Sequence, residues 1–178
     1  MKRYLTGIDW IVNSIDYTSK AQSGVGNHSE LILELEDSPG HQALEKLLTN
    51  FIQKFPLLNG FPGRALNLCP YWKVLSIKKP LPVWVNIVKL NDDTQYLLPM
   101  AAQVNAAFHN KREHLTFTLV ETGKRAFLGM AFDHRILDAK GAEAFLHLFQ
   151  QYYDNKRPPQ ISLDCPAHLN KWFEKWLA

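Results

Sequence analysis

From Glu30 to Glu36 (ELILELE) apolar and polar residues alternate strictly. Leu31, Leu33 and Leu35 share one face and glutamates occupy most of the other, the pattern of a half-buried β-strand. Ser38-Pro39 then offers an N-cap followed by proline at a first helical position. Leu44, Leu47, Leu48, Phe51 and Phe55 follow as one amphipathic stripe, so the pattern predicts a helix that Pro56 ends. Asn59-Gly60 and Pro62-Gly63 read as a turn-rich loop. Two β-rich runs come next, Tyr71 to Ile77 and Val83 to Leu90, and an Ala-rich helix is predicted from Leu98 to Phe108.

A second alternating run, His114 to Glu121, turns Leu115, Phe117 and Leu119 inward. Thr122-Gly123 supplies a hairpin turn. The partner strand runs from Arg125 to Phe132, with Ala126, Leu128, Met130 and Phe132 on one face. Ala142, Phe145, Leu146, Phe149 and Tyr153 line a further helix, and Leu169, Trp172, Phe173, Trp176 and Leu177 line a last one. The opening 28 or so residues carry Gly24 and Gly26 among Ser, Asn and Gln and read as largely loop. This order of elements predicts a two-layer α/β (α+β) sandwich, with a mixed, largely antiparallel sheet and helices packed on one face.

Composition narrows the function classes. The 178 residues, 46% of them hydrophobic, fit one globular domain spanning 1–178. No apolar run approaches the roughly 20 residues of a membrane span, and no signal-peptide pattern opens the chain, so a cytoplasmic location is expected. The net charge of +3 is scattered, the largest basic groupings being Lys78-Lys79 and Lys111-Arg112, which argues against nucleic acid as a partner. Cys69 and Cys165 are too few for a Cys-rich zinc site or a disulfide framework and read as partly buried structural thiols. No glycine-rich phosphate loop and no nucleophile elbow is present, so neither a bound nucleotide nor a serine nucleophile is indicated.

One constellation carries chemistry. His134 follows the second hairpin strand, Asp138 comes four residues later, and Gly141 and a helical stripe follow. Three readings fit that spacing. Asp138 can cap the following helix with His134 a turn residue; the two can be metal ligands, with no local third; or His134 can be a general base at a strand end, since an imidazole titrates near pH ~6.5. Capping and catalysis are compatible, because a capping carboxylate would fix the loop that aims the histidine.

His134-x-x-x-Asp138, between an alternating strand and an amphipathic helix, resembles the H-x-x-x-D motif of the thioester-dependent acyltransferase superfamily. The string Phe132-Asp133-His134-Arg135-Ile136-Leu137-Asp138 is similar to the D-H-R-x-x-D-G signature of dihydrolipoamide acyltransferases. Leu5-Thr6-Gly7-Ile8-Asp9, Phe55-Pro56-Leu57-Leu58-Asn59-Gly60 and the terminal Ala167 to Leu177 segment resemble, in that order, motifs of the N-terminal lobe of condensation-type enzymes. The resemblance implies a chloramphenicol acetyltransferase-like fold with His134 as general base and Asp138 as an architectural residue. Asp138 would pair with an arginine, Arg64 as first candidate and Arg135 as second. It implies no tightly bound cofactor, with acyl-CoA or a phosphopantetheinyl thioester as co-substrate and no metal.

The same resemblance implies partners: a small acyl donor and acceptor, a carrier protein, and either a second lobe or a trimer to complete the site. Two positions depart from the condensation pattern, Asp133 in place of a first histidine and Ala139 in place of glycine. They leave room for a catalytically silent module that binds a partner or small ligand. Elsewhere the residues read blandly. Arg135 is a surface or ion-pair residue, Trp72 and Trp84 pack, and His109, His114 and His147 are solvated.

Overall fold

The computed structural model describes residues 2–66, 68–74 and 83–155. The predicted helix through Trp172 and Trp176, and Cys165, lie outside the described residues.

The opening segment is a helix, α1 (Gly7–Ser23), where the sequence reading expected loop. Thr6 and Asp9 form a capping box: the Asp9 carboxylate accepts the Thr6 N–H at 2.7 Å, and Thr6 Oγ1 accepts the Asp9 N–H at 3.5 Å. Gly24, at φ 76°, is the left-handed C-cap, its N–H donating to the Lys20 carbonyl. The glycine that read as loop is therefore a helix terminator. The helix escaped the hydrophobic pattern because its one buried residue is polar, Asp16.

Among the described residues seven strands form two sheets. The smaller is antiparallel in the order β1 (Lys2–Tyr4), β4 (Pro70–Val74), β3 (Gly60–Arg64). The larger runs β2 (His28–Leu35), β7 (Ala126–Asp133), β6 (Leu115–Glu121), β5 (Val85–Lys89), with only β5 and β6 parallel. The mixed, largely antiparallel architecture is as expected. Two details are corrected: the segment read as loop after Asn59 is strand β3, and the two β-rich runs end in different sheets. Pro62 is tolerated because β3 lies at a sheet edge, where a missing N–H costs no ladder bond.

Helix α2 (His41–Ile52) starts at Gly40, at φ 72°, without a side-chain cap. Ser38, the expected cap, instead donates its hydroxyl to Glu121. Leu44, Leu48 and Phe51 of α2 pack with Phe145 and Phe149 of α4 (Ala139–Asn155) over Phe117, Leu119, Leu128 and Met130 of the sheet. The Phe51 ring meets that of Phe145 edge-on at 5.1 Å. The opposite sheet face carries Val120 and Phe127, covered by Met100 of α3 (Leu97–Val104) and by Tyr96 stacked on Phe127 at 4.0 Å. Helices thus lie on both faces, not one, because β6 and β7 are apolar on both sides of the pleat. Trp72 is buried and donates to the Leu57 carbonyl, whereas Trp84 is 71% exposed and Cys69 is exposed, against the packing roles expected of both.

The close approach of Gly60 to Trp72 makes a prediction. A Cβ at position 60 would lie 2.1 Å from the Trp72 indole nitrogen, while one at Gly123 meets nothing within 4 Å. Gly60→Ala is expected to destabilise the chain by about 1–3 kcal/mol and Gly123→Ala to be neutral or slightly stabilising, measured by urea denaturation.

Candidate functional site

The turn after β7 is set by Asp133, whose side chain falls on the α3 face of the sheet by strand alternation and is completely buried. One carboxylate oxygen accepts the Arg135 N–H at 2.9 Å, an Asx-type turn, and Ile136 and Leu137 donate their N–H groups to the Asp133 carbonyl. The Arg135 guanidinium folds back on the same carboxylate, with Nη2 at 2.6 Å and Nε at 2.9 and 3.0 Å from its two oxygens.

From there a closed circuit of contacts runs around His134. Arg135 Nη1 reaches Asp16 of α1 at 3.0 Å, Asp16 accepts the Asn27 N–H at 3.1 Å, and the Asn27 carbonyl accepts the His134 N–H at 3.1 Å. The backbone of His134 is therefore held from both sides by charged groups that are themselves paired. Its imidazole is half-buried beside Phe132, and neither ring nitrogen has a hydrogen-bond partner among the described residues.

Asp133 also joins the two sheets. His114 Nδ1 lies 2.8 Å from its carboxylate, and His114 Nε2 lies 2.8 Å from the Gly60 carbonyl of β3. Both partners are acceptors, so the ring satisfies the two at once only when each nitrogen carries a hydrogen. Burial by itself would raise the Asp133 carboxyl. The hydrogen bonds from His114 and Arg135, and their charge, outweigh that and hold it well below the usual carboxylate range.

Asp138 behaves as a helix cap. It is exposed, its carboxylate accepts the Gly141 N–H at 2.7 Å, and its carbonyl accepts the Ala142 N–H. Neither arginine expected to pair with it does so among the described residues. Arg64 stands exposed at the end of β3, on the small sheet, and Arg135 is spent on Asp133 and Asp16 with only 8% of its side chain exposed. The ion-pair reading of Arg135 is right; the surface reading is not.

His114, expected to be solvated, is the buried link, while His109 and His147 are exposed. A signal for His114 was present: the hairpin register that pairs Leu115 with Phe132 sets His114 opposite Asp133. For Asp16 and Asn27 there was none, since their role depends on where α1 packs. Among the described residues no three His, Cys, Asp or Glu side chains are grouped to hold a metal.

No family model and no curated protein matches the sequence. Solved structures do. The chain superposes over its whole length on the first condensation domain of the CDA synthetase, with a TM-score of 0.74 and 14% identity, covering 47% of that chain. On the condensation domain of the Monacolin K polyketide synthase MokA the TM-score is 0.69 at 13% identity, with 99% of this chain and 39% of that one aligned. On a variant of the starter condensation domain of the rhizomide synthetase RzmA, in complex with C8-CoA, it is 0.67 at 9% identity, with 90% and 38% aligned. The fold is that of condensation domains, and the chain spans less than half the length of each.

The electrostatics predict opposite effects at two acids. Asp133, depressed in the folded state, contributes stability that is fully present above its unfolded value of roughly 4 and is lost as pH falls through the folded value. Glu30, raised by burial to about 7 from 4.5, contributes the reverse: stability is intact below 4.5 and declines as pH rises to about 7. Denaturation across pH should show Asp133→Asn less stable by about 3–5 kcal/mol at neutral pH with a flattened acid limb. Glu30→Gln should lose the decline between 4.5 and 7.

Proposed function

We propose that the chain is an acyltransferase or condensation-type lobe in which His134 is the general base. The observation that carries this reading is the placement of His134. It sits at a strand end in a condensation-domain fold, with its backbone clamped and both ring nitrogens free of hydrogen bonds among the described residues. A hydroxyl or amine acceptor attacks the carbonyl carbon of an acyl thioester as His134 takes its proton. The carbon–sulfur bond then breaks, and the leaving thiolate receives that proton from the imidazolium. No covalent enzyme intermediate forms. The thioester is carried on CoA or on a carrier protein's phosphopantetheine, in keeping with the C8-CoA held by one structural neighbour.

Asp138 serves as the cap that starts α4, and the architectural work passes to Asp133, Arg135 and Asp16. A second lobe, or neighbouring copies in a trimer, would close the site and exclude the water that hydrolyses thioesters.

The test is turnover of acyl-CoA with hydroxyl and amine acceptors, on the full chain alone and with a condensation-type C-terminal lobe supplied in trans. His134→Ala should lower the acyl-transfer rate on the order of 10²–10⁴-fold without changing stability. Asp138→Ala should cost about 0.5–2 kcal/mol of stability and leave most of the rate. Turnover indifferent to His134→Ala would overturn the role of His134, and ligand binding unaffected by His134→Ala with no turnover under either condition would favour a silent binding module.

A further inference from the structure

The small sheet buries Trp72, so strand alternation places Phe61, Tyr71 and Lys73 on its outer face, with Lys2 and Tyr4 of β1 beside them in register. That face is aromatic and basic. Lys2 Nζ lies 4.7 Å from the centre of the Tyr71 ring, and Phe61 is met by Lys111 at 4.5 Å and by Lys73 at 5.7 Å. Among the described residues none of these three lysines pairs with a carboxylate. The surrounding chain is basic too: between Glu45 and Asp92 the sequence has seven Lys and Arg and no Asp or Glu.

The β3–β4 hairpin ends in a turn in which the Ala65 N–H donates to the Cys69 carbonyl and the Leu68 N–H to the Ala65 carbonyl, both at 2.9 Å. This turn carries two leucines that bury little. Leu66 is fully exposed, and Leu68 is 68% exposed at a left-handed φ of 63°, a conformation that a leucine adopts only at a cost. From the turn inward the order is the leucines, then Arg64, then the Tyr4–Tyr71 pair with the Lys2 ammonium, then Lys73 and Lys111 on Phe61. A bilayer interface accepts side chains in that order: aliphatic groups at the acyl boundary, tyrosine at headgroup level, and cations against anionic headgroups. A nucleic acid would use the lysines and rings but offers the leucines no apolar medium.

We propose that the outer face and turn of the small sheet dock the chain on an anionic membrane surface. Leu66 and Leu68 enter the acyl boundary while Lys2, Lys73 and Lys111 meet the charged headgroups. This is peripheral binding rather than a span, and it does not rest on the acyl-transfer reading.

Sedimentation of the full chain with lipid vesicles tests it. Binding to phosphatidylcholine vesicles carrying about 30% phosphatidylserine should be roughly tenfold tighter, or more, than to phosphatidylcholine alone. It should weaken as salt rises from about 0.1 M to about 0.5 M. The pair Leu66→Ser and Leu68→Ser should weaken it roughly tenfold or more, and so should Lys2→Gln, Lys73→Gln and Lys111→Gln together. Lys124→Gln, in the turn at the far end of the larger sheet, should leave it unchanged. All six positions are exposed, and circular dichroism of each variant verifies the fold. If the lysine variant does not fold, the leucine pair and the lipid dependence decide. No binding to the mixed vesicles, or binding that survives loss of both leucines, would overturn the proposal. Tighter binding to a single-stranded oligouridine than to the vesicles would overturn it in favour of a nucleic acid.

Discussion

A single buried carboxylate, that of Asp133, sets the direction of the chain where the proposed chemistry sits. Taking an ionised carboxylate out of water costs several kcal/mol, so it persists only because His114, Arg135 and the Arg135 N–H surround it. Those partners come from three places in the fold: the head of β6, the turn after β7 and, through Asp16, the middle of α1. Each had to be brought to that point for the charge to be tolerated. The result is that α1, both sheets and the start of α4 converge on the residues flanking His134. The His114–Gly60 contact extends the same constraint to the small sheet.

The regular part of this architecture was legible in the sequence wherever one face of an element is apolar and the other is not. The hairpin of β6 and β7, the α2 stripe and the α4 stripe all obey that rule, and their boundaries fall within a few residues of expectation. The failures share a cause. Helix α1 buries an aspartate, β3 is built from Gly, Phe, Pro and Arg, and His114 lies just before the first inward leucine of its strand. Each is fixed by a polar contact made at long range, which hydrophobic periodicity does not register. The capping box Thr6-x-x-Asp9 is a local sign of α1 that the loop reading does not use, and that reading rests on Gly24 and Gly26, although glycine reads alike in a loop and in a C-cap.

The candidate site divides along the same line. His134 and the cap at Asp138 could be placed from spacing, since both belong to one strand–turn–helix unit. The partner of Asp138 could not, and the expected arginine pair is replaced by a network on the preceding residue. In a motif where His is followed four residues later by Asp, one position before the histidine and one after it here carry the architectural charges. Asp133 and Arg135 flank His134 in sequence, and in the turn after β7 the Arg135 guanidinium folds back on the Asp133 carboxylate.

That arrangement explains why ion pairs rather than apolar residues hold the turn. Buried ion pairs are weak evidence for stability, because well-packed apolar replacements are often as stable or more so. An apolar contact, however, is non-directional. The hydrogen bonds that the Arg135 N–H donates to the Asp133 carboxylate and the His134 N–H donates to the Asn27 carbonyl fix the two peptide planes on either side of the imidazole. A general base gains from such fixation, because a misplacement of about 1 Å can cost as much as 10²-fold in rate. The Phe132 ring limits the imidazole on the apolar side, and the charged circuit limits its backbone on the other. What stays open is the direction of its nitrogens. In the proposed function, that is the direction from which a second lobe or another copy would close the site.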